Sequence, residues 1–362
     1  MTDLDNRAKL LSLYYETLEK NIGDLPEYDG FVYRYEEDKD LFYVTRILKR
    51  VDDKGELVIP YGFDYMDESV TFLNKKNLKY LDLGTIREIK FNTTKFPKSL
   101  ISVKGDNVKS LGTNTFADLY ALKSVDMKNL VSIGKSCFSG CKSLKEITIN
   151  KVTLLEDYAF LECEALTVLN FESLEISSAS DVFSYSGLVH FTAKNLISLD
   201  DSFFANAHNL EWVYTPNLSS LGKGLFRGCL RLKYCELGTL DISLFNNYLT
   251  NVNYLDENKI LSGKDVYDVY TRNSNELFLL LPSMFSVNTF LKADNVKFVF
   301  RTTDFELAEL IVQFITLAYI TRSTTGGTLT NQSDIRNKFL SCYKQGKFMG
   351  LKNIRFEIKI LR

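Results

Sequence analysis

From about Leu78 to Gly238 a short strand-like segment returns every 22 residues, eight times over. Two apolar columns, two residues apart, carry the recurrence. The first holds Leu81, Val103, Val125, Ile147, Leu169, Phe191, Val213 and Cys235. The second holds Leu83, Gly105, Met127, Ile149, Phe171, Ala193, Thr215 and Leu237. An anchor phenylalanine (Phe72, Phe96, Phe116, Phe138, Phe160, Phe183, Phe204, Phe226) accompanies each copy, but its spacing drifts between 20 and 24 residues. A loop absorbs an extra residue at small entropic cost, whereas a strand slipped by one turns its apolar face outward. The strands are therefore the fixed ladder. One copy alone cannot bury its apolar side, and stacked copies bury it against one another.

Within a copy the order reads as anchor Phe, a helical turn or two, Leu six residues on, the strand, then two aliphatic residues before the next anchor. In the copy from Phe138 those positions are Leu144, Ile147, Ile149, Val152 and Leu155. From Phe204 they are Leu210, Val213, Thr215, Leu218 and Leu221. Segments such as VSIGKSCFSGCKSLKEITI (131–149) and SSLGKGLFRGCLRLKYCEL (219–237) resemble the BspA-type, or Treponema pallidum-type, leucine-rich repeats, whose run is Ile-Gly-x-x-x-Phe-x-x-Cys-x-x-Leu-x-x-Ile. GELVIPYGF (55–63) resembles the Ile-Pro entry of that family. The resemblance covers about 57–240 and implies an α/β repeat, a curved or twisted solenoid with a parallel sheet along one face. The aliphatic-Pro step is lost in most copies, and the copy at Phe96 is two residues short.

Six cysteines need a decision between disulfide, metal and core. Cys141, Cys163 and Cys229 each fall three residues after an anchor, where other copies carry Leu119 or Ala207. Exchange among Cys, Leu and Ala marks a small buried position. Cys235 belongs to the inward column, Cys137 and Cys342 stand singly, and no close Cys-x-x-Cys pair suggests zinc. The pattern predicts core cysteines, with no metal or cofactor.

Ahead of the repeats, Asp3 to Asn21 predicts a helix with an apolar stripe of Leu4, Ala8, Leu11, Tyr15 and Leu18, ended by Gly23. From Phe31 to Ile59 the pattern turns strand-like, with the Asp-Lys-Gly of the DDKG turn (52–55) as the hairpin signal. Ile59 lies 22 residues before Leu81, so residues 1–56 read as a helix-and-hairpin cap and 57–240 as the solenoid. After Gly238 the register fails. DISLFNNYLTNVNYL (241–255) reads as a degenerate last copy, and 264–362 as an α+β unit, so that 241–362 forms the third region. Its strand candidates are VYDVYT, ELFLLL, VKFVFR and IRFEIKI, and its helices begin near Asp304 and Ser333. TRSTTGGTLTNQ (321–332) lacks the Gly-Lys-Ser/Thr of a phosphate loop.

With 362 residues, 45% hydrophobic composition and a net charge of -2, the chain reads as globular, with no electrostatic footprint for nucleic acid. The N-terminus lacks the apolar core of a secretory signal, and LAELIVQFITLAYI, broken by Glu309 and Gln313, is too short to cross a bilayer. A cytoplasmic protein is the expectation, with a virion as the alternative location. Two histidines and no paired-carboxylate or nucleophile motif predict a protein that is not an enzyme.

Strand residues alternate, so the neighbours of the buried columns face outward. The first outward column is Tyr80, Ser102, Ser124, Glu146, Val168, His190, Trp212 and Tyr234. The second is Asp82, Lys104, Asp126, Thr148, Asn170, Thr192, Tyr214 and Glu236. Rungs about 4.8 Å apart gather His190, Trp212, Tyr214 and Tyr234 into one aromatic patch with Glu236 at its edge. Asp82, Lys104, Asp126 and Lys128 read as a solvated ladder of weak ion pairs. The patch serves either an external partner or a C-terminal region folded back on it. Three functions fit: a protein-interaction scaffold, a structural subunit meeting assembly neighbours such as those of a virus or phage particle, and, more weakly, a glycan-binding adhesin.

Overall fold

The computed structural model describes residues 3–20, 25–91, 95–175, 179–218, 220–221, 225–229, 231–232, 234–239, 296–302 and 354–360. The chain divides into two compact units, one of residues 1–174 with 185–187 and one of 175–184 with 188–362. Both are built of stacked parallel strands in their described parts. The foreseen strands at 266–271 and 276–281, the helices near Asp304 and Ser333, the segment 241–255 and Cys342 lie outside the described residues.

In the first unit the expected ladder is present. Glu56–Val58, Tyr80–Asp82, Ser102–Lys104, Ser124–Asp126 and Glu146–Ile147 pair in parallel, in that order, with Leu81 opposite Val103 and Val103 opposite Val125. Among the described side chains of the two inward columns all are buried except the half-buried Ile147. The first step differs from expectation. Leu57, not Ile59, pairs with Leu81, a step of 24 residues, and Ile59 donates its N–H to the Asp82 carbonyl just past the strand end. A shift of two preserves the face, so both Leu57 and Ile59 stay buried.

A second ladder runs beside the first. Tyr65–Met66, Glu88–Ile89, Ser110–Leu111, Ser132–Ile133 and Leu154–Leu155 pair in parallel. Each of the last four seats one buried aliphatic residue, Ile89, Leu111, Ile133 or Leu155. Serines stack between rungs on both ladders, the Ser124 hydroxyl donating to Ser102 and the Ser132 hydroxyl to Ser110, each at 2.8 Å. Gly134 is held by close approach, because a Cβ there would lie 2.7 Å from the carbonyl carbon of Gly112 one rung earlier.

The anchor segments are not helical. Around each anchor they form a third set of rung-to-rung bonds: the N–H groups of Asn114, Phe116 and Asp118 donate to the carbonyls of Lys135, Cys137 and Ser139, and those of Ser136, Phe138 and Gly140 to Asp157, Ala159 and Leu161. Donors committed to the next rung are lost to an i to i−4 helix. Positive φ angles at the positions two before and two after the anchor (Asn114, Asp118, Ser136, Gly140, Tyr158, Glu162) exclude a helix independently. The anchors themselves form a spine. Phe72, Phe96, Phe116, Phe138 and Phe160 are buried, with successive ring centroids 4.8–5.4 Å apart and planes within 23°.

The cysteines predicted as core are buried and unbonded to one another at 137, 141, 163 and 229. The Cys141 and Cys163 thiols donate to the carbonyls of Phe116 and Phe138, the anchors one rung back, at 3.0 and 3.2 Å. Burial pushes the Cys141 thiol up to about 12 and raises Cys137, Cys163 and Cys229 as well.

The cap contains the helix Asp3–Glu19 and an antiparallel hairpin, Phe31–Glu36 with Leu41–Ile47, whose turn is EDKD at 37–40. The DDKG turn that carried the hairpin signal instead leads into Glu56–Val58, a parallel strand, with the Asp52 carboxylate accepting from the N–H groups of Lys54 and Glu56. The hairpin joins the second ladder, Tyr43 opposite Tyr65 and Val44 opposite Met66. The helix is present but rotated from expectation. Leu4, Ala8, Tyr15 and Leu18 of the predicted stripe are exposed, while Asn6 and Leu10 are buried. A polar contact sets that rotation. Asp64, buried at the foot of the hairpin, pairs with Arg7 of the helix at 2.8 Å and with Arg87 at 2.7 Å, and accepts the N–H of Phe42. A buried carboxylate needs such partners, so the Arg7 side of the helix turns inward.

The second unit repeats the design. Phe183, Phe204 and Phe226 stack with centroids 6.1 and 5.6 Å apart, the Cys229 thiol donates to the Phe204 carbonyl, and Ser198–Leu199 pairs in parallel with Ser220–Leu221. Positive φ recurs at Asp181, Ser202, Asn206 and Gly228, again two residues before or after an anchor.

Candidate functional site

In the second unit the first-ladder strands His190–Ala193, Trp212–Tyr214 and Tyr234–Thr239 lie side by side in parallel. Phe191 and Val213 anchor the inner face, both fully buried. The outward register is the one read from the 22-residue step: His190 opposite Trp212, Trp212 opposite Tyr234, Thr192 opposite Tyr214, and Tyr214 opposite Glu236.

The side chains give this face its character. Trp212 is 43% exposed although it carries a large apolar ring. Its ring stacks on Tyr234 at a centroid distance of 3.9 Å with planes 16° apart. His190 is exposed, and Tyr214 and Tyr234 are half-buried. The structure thus brings His190, Trp212, Tyr214 and Tyr234 onto adjacent rungs, with Glu236 in register beside Tyr214. His208, the second histidine, lies on a turn rather than a strand, its Nδ1 2.9 Å from the Gly228 carbonyl. The two histidines therefore do not share a site.

The foreseen strands VKFVFR and IRFEIKI are present as Val296–Thr302 and Ile354–Ile360, and they pair in parallel beyond Tyr234–Thr239, with Tyr234 opposite Lys297 and Lys297 opposite Arg355. These two strands extend the sheet at its edge. Among the described residues no group of His, Cys, Asp and Glu could hold a metal ion, and no helix is long and apolar enough to cross a membrane.

In the first unit the Lys104 ammonium stands 3.8 Å from Asp82 and 3.9 Å from Asp106, and that of Lys128 3.4 Å from Asp106. At that length and exposure the pairs are weak, and the expected ladder is present only in part: Asp106 takes the place of Asp126, whose carboxylate instead accepts from the Thr148 hydroxyl at 3.1 Å. A second aromatic row there is not among the residues the sequence pattern singles out: Tyr43 and Tyr65, stacked at 5.3 Å on the second ladder. Their 22-residue separation was the available signal.

A parallel repeat with an inward aliphatic column and an anchor phenylalanine in each turn defines a leucine-rich-repeat protein. Residues 66–189 and 178–270 match the BspA type leucine rich repeat region in six copies, and the chain belongs to that family. Similar solved structures include a leucine-rich repeat protein from Bacteroides ovatus, with 16% identity and a TM-score of 0.31 over 59% of this chain and 84% of that one. A leucine rich cell surface protein from Faecalibacterium prausnitzii has 16% identity and a TM-score of 0.36, over 58% of this chain and 53% of that one. The leucine-rich repeat protein of Treponema pallidum has 19% identity and a TM-score of 0.30, over 64% and 97%. No curated protein matches the sequence.

Proposed function

We propose that this protein is a non-enzymatic interaction scaffold that binds a partner protein through the face carrying His190, Trp212, Tyr214, Tyr234 and Glu236. The observation behind this reading is the exposed Trp212 ring stacked on Tyr234 at 3.9 Å. Tryptophan and tyrosine dominate binding hot spots because they bury large area with few rotatable bonds. Here the stack fixes the two rings before any partner arrives, which reduces the entropy lost on binding. Membership of a leucine-rich-repeat family supports protein binding in general.

The test is affinity capture from the native source with the full chain, read by quantitative mass spectrometry. Trp212→Ala combined with Tyr214→Ala is expected to remove the partner and to leave the melting temperature within about 2 °C, since surface substitutions stay within about 0.5 kcal/mol. Unchanged capture, or a much larger drop in melting temperature, overturns the reading.

A further inference from the structure

On the second ladder of the first unit, Arg34, Tyr43, Tyr65 and Glu88 occupy one continuous register column: Arg34 opposite Tyr43, Tyr43 opposite Tyr65, Tyr65 opposite Glu88. A groove of about 310 Å³ opens beside them, lined by Tyr43, Tyr65, Met66, Glu68, Glu88 and Lys90 among others. The two rings stack at 5.3 Å with planes 23° apart, and both are half-exposed. The Arg34 guanidinium stands 3.8 Å from the centre of the Tyr43 ring and is held there by Asp67 at 3.0 Å. The protein thus already places one cation on this tyrosine row, with a carboxylate beside it.

At Tyr65 the same place is open: among the described residues no cation stands over its ring. Glu88 follows it in the column, and Glu68 lines the groove. The cation nearest to hand is Lys90, which pairs with Glu88 at 2.6 Å while its side chain remains 71% exposed. So exposed a pair contributes little and exchanges readily. Aromatic faces attract cations, guanidinium especially, and carboxylates at the rim add charge-assisted hydrogen bonds. With Asp67 committed to Arg34, the groove has two carboxylates facing one loosely held ammonium.

We infer that this groove is a second binding site, distinct from the Trp212 face, and that it takes an arginine side chain of a basic peptide segment. The incoming guanidinium stacks on Tyr65 as Arg34 stacks on Tyr43, and displaces Lys90 from Glu88.

Isothermal titration of the full chain at low salt with capped hexa-arginine tests this, with hexa-glutamate and maltohexaose as comparison ligands. Hexa-arginine alone should bind. Tyr65→Leu, which keeps the bulk but removes the ring, should weaken binding about fivefold or more, while Tyr65→Phe retains it. Glu88→Gln should weaken it, Lys90→Met should strengthen it, and Trp212→Ala should change nothing. Circular dichroism and melting of each variant confirm that it is folded. Absence of binding, equal affinity of Tyr65→Leu and Tyr65→Phe, weakening by Lys90→Met, or binding of maltohexaose instead overturns the assignment.

Discussion

Cys141, Cys163 and Cys229 look in sequence like interchangeable small hydrophobes, since Leu119 and Ala207 fill the same slot. The structure adds a directional role, because each thiol donates to the anchor carbonyl one rung back. A leucine or alanine in the slot leaves that bond unmade, so the exchange is neutral in volume class rather than in hydrogen bonding. Reactivity follows from the same burial. Thiolate is the reacting form, and a thiol pushed up to about 12, as at Cys141, is almost entirely protonated at pH 8. Peptides carrying Cys137, Cys141, Cys163 and Cys229 should therefore remain unmodified when the native protein is treated with iodoacetamide at pH 8. They should label fully in guanidinium, as read by mass spectrometry. Native labelling at any of the four would show that its rung opens.

The helix Asp3–Glu19 shows what an element's own pattern leaves undetermined. Its apolar spacing nominates Leu4, Ala8, Leu11, Tyr15 and Leu18, yet the buried positions are Asn6 and Leu10. The rotation is decided 57 residues away by Asp64, whose buried carboxylate draws Arg7 inward. No local window contains that partner. Leu10→Ala should accordingly destabilise the protein by about 2–5 kcal/mol, while Leu18→Ala should stay within about 0.5 kcal/mol, both by urea denaturation. Equal losses would reverse the assigned face. The first ladder is legible from Leu81 onward, though not at its first step, because its inward and outward columns recur in strict 22-residue register. The outward columns, and with them the adjacency of His190, Trp212 and Tyr234, came from the same arithmetic. The second ladder was not legible, since two-residue strands such as Ser110–Leu111 are too short to show alternation. The anchor turns look helical in sequence because a run such as FSGCKSL has the apolar spacing of a helical turn. What forbids the helix is a pair of left-handed residues and donors spent on the next rung, and neither leaves a mark on hydrophobicity.

For each unit as a whole, stability is carried between neighbouring rungs, as in other quasi-one-dimensional repeat folds. The phenylalanine spine makes this testable. Phe138 touches Phe116 on one side and Phe160 on the other, both at 5.4 Å. Phe138→Ala removes a buried ring and should cost about 3–5 kcal/mol. Hydrogen exchange followed by mass spectrometry should find protection lost most strongly in the turns around Phe116, Phe138 and Phe160, with the cap near Leu10 affected far less. A uniform loss across the first unit would mean that it unfolds as one cooperative block.

The antiparallel hairpin at the start of the second ladder has a consequence beyond packing. A row of parallel strands is a template: any chain with the same direction and spacing can extend it, which is how edge strands seed fibres. Here that row passes into Leu41–Ile47, reverses direction at Phe31–Glu36, and reverses again to end on the two-residue strand Glu27–Tyr28. A second molecule arriving at this edge finds a strand whose direction has turned twice and which offers almost no length to copy. The brevity of Glu27–Tyr28 therefore gives the second ladder a terminus that does not propagate, and a protein built of self-similar turns can be crowded with its own copies without adding them end to end there.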